Sequence, residues 1–173
     1  MDTRTVETTD GLAEETQPVG LWLRRAAVLA LAGLVVVSLL GLLGVHTDEE
    51  TAEGNGYRLT VSYPQVARAG LDTPYEITVV RESGLGQEIE LAVTGSYFDL
   101  FEAQAFHPEP TEATRDGDTM YLTFTTRPGS ATFVVAFDAY VQPASQRGQS
   151  ATVAVMDGDQ QMVSVSYDTR LIP

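Results

Sequence analysis

The sequence predicts an all-β domain, an antiparallel two-sheet sandwich, preceded by one N-terminal transmembrane α-helix. Three observations carry this. Residues 26–45 (AAVLALAGLVVVSLLGLLGV) hold no charge, and Ser38 is the only polar side chain among them. From Tyr57 onward, apolar residues recur every second position, the period of a strand with one buried face. Clusters of Gly, Pro and Asp punctuate these runs where turns are needed.

Residues 1–20 are rich in Thr and Glu, contain Pro18 and show no apolar periodicity, which predicts a disordered cytoplasmic tail. The transmembrane helix is assigned to residues 21–45. At 1.5 Å per residue its apolar core, residues 26–45, extends about 30 Å, enough to cross the hydrocarbon layer and contact lipid throughout. Trp22 stands where an interfacial ring anchors a helix, and Arg24 and Arg25 precede the span. Basic residues stay on the cytoplasmic side, so the chain is expected to run from a cytoplasmic N-terminus to an extracytoplasmic C-terminal domain in the cell membrane. A cleaved signal peptide is the competing reading. The length of the apolar run and the missing small-x-small cleavage site favour an uncleaved anchor. Residues 46–56, with Asp48, Glu49, Glu50 and Glu53 before Gly54-Asn55-Gly56, are expected to form a flexible acidic stalk.

Residues 57–173 form the β-domain. Tyr57, Leu59, Val61 and Tyr63 share one face of a first strand, and Tyr75, Ile77 and Val79 repeat the pattern. Ile89, Leu91 and Val93 follow after the Gly84-Leu85-Gly86 turn. Met120, Leu122 and Phe124 lead to a break at Arg127-Pro128-Gly129-Ser130, and the longest run is residues 131–141. Two last runs, residues 151–156 and 160–167, flank Asp157-Gly158-Asp159, an Asp-Gly signal for a type I′ hairpin. Between the third and fourth runs, Tyr97, Phe98, Leu100, Phe101 and Phe106 form an apolar cluster. It reads as a short helical turn or an extra edge strand closing the core, with Pro108 and Pro110 preventing a long helix.

With 24 acidic residues against 10 basic ones, all Arg, the chain lacks the cationic face that nucleic-acid binding needs. The absence of Cys excludes thiol nucleophiles and cysteine-based zinc sites. Asp116-Gly117-Asp118 and Asp157-Gly158-Asp159 stop short of a calcium-loop pattern, and turn chemistry accounts for both. His107 lacks the partners of a zinc site or a catalytic triad, and no G-x-S-x-G surrounds any serine. Carboxylate pairs such as Glu88 and Glu90, or Asp99 and Glu102, are expected by chance in so acidic a chain, and no phosphate-binding glycine loop is present. No catalytic, cofactor-binding or metal-ligating residue is therefore assigned, and no cofactor is expected. Tyr57, Tyr63, Tyr75 and Tyr167 share the core phase. Tyr121 and Tyr140 fall on the opposite phase, which makes them candidates either for a contact surface or for packing under the segment 97–106.

The order of tail, anchor, acidic stretch and β-domain, together with the segments YPQVARAGLDTP (residues 63–74) and YFDLF (residues 97–101), resembles uncharacterised single-pass membrane proteins of actinobacteria. That resemblance implies an extracytoplasmic domain similar to immunoglobulin or fibronectin modules, without the Cys-Trp-Cys framework of antibody domains. It implies no activity. The expected function is a non-catalytic interaction module, an accessory subunit of another membrane protein. The alternatives are a ligand- or ion-binding sensor domain and, third, a hydrolase.

Overall fold

The computed structural model describes residues 18–39, 46–144 and 147–172, without the side chains of Pro18, Ala103 and Gln104. The chain divides after Gly44 into two units, the first containing a helix and the second a β-domain.

Helix α1 spans Pro18–Leu39. Proline suits the first helical position, because its preset φ fits the helix and its missing N–H is one the helix would leave unpaired. The helix therefore begins earlier than expected: Pro18, Val19 and Gly20 belong to it rather than to the tail, and Arg24 and Arg25 lie within it rather than in its flank. Every described side chain from Val19 to Leu39 is exposed. The length and composition of Val19–Leu39 suffice to cross a membrane, a property shared by anchors and signal sequences. The expected tail up to residue 17 and the end of the expected span, residues 40–45, lie outside the described residues.

Among the described residues the β-domain has eleven strands, where the alternating runs of the sequence marked seven. They are β1 (His46–Gly54), β2 (Tyr57–Arg68), β3 (Asp72–Thr73), β4 (Glu76–Val80), β5 (Glu88–Thr94), β6 (Phe101–His107), β7 (Glu112–Asp116), β8 (Thr119–Thr125), β9 (Thr132–Val141), β10 (Gln149–Asp157) and β11 (Gln160–Ile172). They join in one hydrogen-bonded path, β3-β9-β4-β2-β11-β10-β5-β8-β7, with β1 added to β2 and β6 to β9. The expectation of two wholly antiparallel sheets is corrected by β11. Its long run pairs antiparallel with β10 as far as Thr169, and then parallel with β2 through Arg170, Leu171 and Ile172. The result is one large mixed sheet.

That path curls back on itself. Phe124 on β8 and Phe133 on β9 stand six places apart along it, yet their ring centroids are 5.3 Å apart. The period-two apolar residues of both ends consequently share one core, which includes Leu59, Val61, Ile77, Leu91, Leu122, Val135 and Val153. The aromatic segment adopts both expected forms in succession, a 3-10 helix over Gly95–Leu100 and then β6.

The acidic stalk is also corrected. Residues 46–54 are β1, paired with β2 from His46↔Val66 to Gly54↔Tyr57. Asn55 (φ 50°) and Gly56 (φ 81°) make the connection, both in the left-handed region as a type I′ turn requires. At Asp157-Gly158-Asp159 the expected type I′ turn gives way to another. Asp157 pairs with Gln160, and of the two central residues only Gly158 has positive φ, the pattern of type II′.

Candidate functional site: outer faces and the tyrosine core

Tyr121 and Tyr140 do not form one surface. Tyr121 lies on β8 between Thr114 and Ala92, on the side facing away from buried Leu122 and Phe124. Tyr140 lies on β9 beside Asp72, facing away from buried Ala139 and Val141. Since β8 and β9 turn their inner faces toward a shared core, the two rings point to opposite sides of the domain. Both are half-buried rather than exposed. Within the segment 97–106, Tyr97, Phe98 and Phe101 enter the core, and β6 pairs beside Tyr140 at Ala103. On α1, Trp22 is 71% exposed, as an interfacial ring would be.

The carboxylates singled out in the sequence take separate places. Asp118 seats the 3-10 helix: its carboxylate accepts from the Ser96 backbone N–H and from Ser96 Oγ, each at 2.9 Å, with Arg115 Nη2 at 3.5 Å. The Asp116-Gly117-Asp118 turn thus ties β7–β8 to Gly95, whose N–H donates to the Asp118 carbonyl at 2.6 Å. Glu88 and Glu90 occupy the outward phase of β5, opposite Thr125 and Thr123, as expected. Asp99 and Glu102 are exposed. His107 Nε2 lies 3.1 Å from Asp138 Oδ2, and both side chains are more than half exposed. Among the described residues, no three His, Asp or Glu side chains converge in a way that could hold a metal ion.

The most ordered polar chemistry is inside. Tyr75 and Tyr167 share a hydrogen bond of 2.5 Å between their hydroxyls, and Tyr97 shares one of 2.9 Å with Thr169 Oγ1. The Tyr63 ring stacks 4.4 Å from Tyr167, and Tyr97 meets Tyr167 edge-on at 5.4 Å. Burial raises the Tyr75, Tyr97 and Tyr167 hydroxyls well above the ordinary tyrosine range, because a phenolate there would lose its water. Tyr63 is raised first by desolvation and then by Asp48, Glu50 and Asp168. These hydroxyls remain neutral hydrogen-bonding groups. The core phase of β11 already pointed to Tyr167, and the same period extends to Thr169, which was missed. Tyr97 lay in the aromatic segment, outside any alternating run. At the other end of the core, Arg81 places its guanidinium 4.5 Å from the centroid of the Tyr57 ring and donates to the Tyr57 hydroxyl at 2.8 Å.

No protein-family model and no curated protein matches the chain. Among solved structures, one similar chain is the Pseudomonas fluorescens alkylpurine DNA glycosylase AlkC bound to DNA containing an abasic-site analogue. It has a TM-score of 0.32 and 13% identity, and the match covers 76% of this chain and 32% of the glycosylase. At that level it carries no argument about fold or activity.

Proposed function

We propose that this chain is a membrane-anchored, non-catalytic interaction module, an accessory subunit of another membrane protein. In this reading α1 stays uncleaved, the N-terminus is cytoplasmic and the β-domain is extracytoplasmic. The domain is read as an immunoglobulin-like sandwich of the kind found in actinobacterial single-pass proteins. Support for that fold comes from β2, which pairs antiparallel with β4 and parallel with the last strand.

The observation that carries the functional reading is where the buried hydroxyls go. Tyr75, Tyr97, Tyr167 and Thr169 bond to one another. These interior hydroxyls therefore hold strands together, while exposed carboxylates and the half-buried Tyr121 and Tyr140 lie on the outer surface. Half-buried aromatics at sheet faces suit protein contacts. Affinity isolation of the full chain from gently solubilised membranes, with mass spectrometry, tests the reading. A stoichiometric multi-span partner whose recovery drops on Tyr121→Ala or Tyr140→Ala is the expected result, and repeated recovery of the chain alone counts against it.

A further inference from the structure

We infer that Met162 is an oxidation-sensitive latch, whose conversion to the sulfoxide loosens β1, the strand that follows the helix in sequence. The register between β10 and β11 shifts at this point: Val155 faces Val163 and Met156 faces Gln161, which leaves Met162 as the extra residue of a β-bulge. The bulge frees the Met162 carbonyl from the ladder, and Asn55 Nδ2 in the β1–β2 turn donates to it at 2.7 Å. Gly54 makes the approach feasible, since a Cβ there would lie 2.8 Å from the same oxygen. The tip of the β1–β2 hairpin is thus seated on Met162 of β11 and against its neighbour Val163.

The side chain of that residue is half-buried against the core cluster. That partial exposure gives a peroxide access to the side chain, and the product is not accommodated in the same way. In the reaction the thioether sulfur is oxidised by two electrons and takes one oxygen, the O–O bond of hydrogen peroxide breaks, and water leaves. A flexible apolar group becomes a polar, chiral one. The chain has no Cys, so Met120, Met156 and Met162 are the oxidisable sulfurs of the β-domain. Met120 lies on β8, and Met156 faces Gln161 across the β10–β11 ladder; only Met162 is part of the hairpin seat. Apart from this seat, β1 is held by its ladder and exposed side-chain bonds to β2; among the described residues Ala52 is its one side chain packed against the core.

Encounter with oxidants outside the cytoplasm rests on the proposed topology; the latch does not. The purified full chain in detergent, treated with hydrogen peroxide, should show sulfoxide at Met162 by peptide mass mapping and about tenfold faster amide exchange over residues 49–54. Met162→Leu should abolish the acceleration while Met156→Leu leaves it, and methionine sulfoxide reductases should reverse it. Oxidation of Met162 without faster exchange, or acceleration that survives Met162→Leu, overturns the latch. In cells, a membrane-impermeant oxidant that leaves Met162 untouched, while the purified chain still responds, would overturn the topology alone.

Discussion

Strand β1 and the segment from Gly95 to His107 both lie outside the regular alternating runs, and they are held in opposite ways. The second is fixed by what it buries. Tyr97, Phe98, Leu100 and Phe101 are each at most 3% exposed, and the Phe98 ring meets Tyr75, Tyr97, Phe106 and Phe137 at centroid distances from 5.0 to 6.3 Å. By contrast, β1 buries almost nothing and carries Asp48, Glu49, Glu50 and Glu53 in largely exposed positions. It is defined by its ladder with β2, by a left-handed turn and by the seat on Met162. One segment is fixed by its side chains, the other by its backbone. A charged strand that cannot be mistaken for core is also a safe flank for β2, since charge on an exposed strand discourages pairing with other chains.

If that contrast is right, mutations in the aromatic segment should dominate stability. Phe98→Ala removes the ring at the centre of these contacts and should cost about 3–5 kcal/mol, measured by denaturant unfolding. A loss under 1 kcal/mol would mean the segment is not the plug it resembles. Next in size is Tyr75→Phe, which leaves the Tyr167 hydroxyl without its partner in a dry site and should cost about 1–3 kcal/mol. The same hydroxyls set the alkaline limit. Their folded pKa values lie above the ordinary tyrosine value of 10.0, so near neutral pH both states are protonated and no stability is lost. As pH rises past 10.0 the unfolded chain releases protons that the folded domain retains, and stability falls. Tyrosinate absorbance from Tyr75, Tyr97 and Tyr167 should therefore appear together with unfolding, whereas their titration before unfolding would contradict the burial.

Much of the fold was legible because burial writes itself into sequence at period two. Leu59, Val61, Ile77, Ile89 and Phe124 alternate with polar neighbours, and each is buried where that alternation puts it. What escaped has a physical cause. β1 leaves no alternation because Ala52 alone of its described side chains packs against the core, and its closing Gly54-Asn55-Gly56 read as the end of a flexible stalk. The parallel pairing of β11 with β2 joins residues about a hundred positions apart, and no local pattern encodes which strand a long strand meets at its end. For the outer surface, the phase of Tyr121 and Tyr140 was readable, but not that they face opposite ways. That depends on how the sheet curls, which the core aromatics decide together.

The smallest effects should fall on β1, and their order separates its backbone from its side chains. Gly56→Ala forces a Cβ into φ 81° with open space around it, so the cost is conformational, about 1–2 kcal/mol. Glu53 faces Arg58 across the ladder with Oε1 2.6 Å from Arg58 Nε, and both side chains are more than half exposed. Water and salt screen such a pair, so Glu53→Gln should change stability by no more than about 0.5 kcal/mol and less at high ionic strength. Amide exchange over residues 47–54 reads both variants locally, because β1 can fray without the core opening. Faster exchange in Gly56→Ala than in Glu53→Gln is the order that a backbone-held strand requires. The reverse order would make β1 a strand fixed by its charges, and the contrast with the aromatic segment would then be one of side-chain chemistry rather than of mechanism.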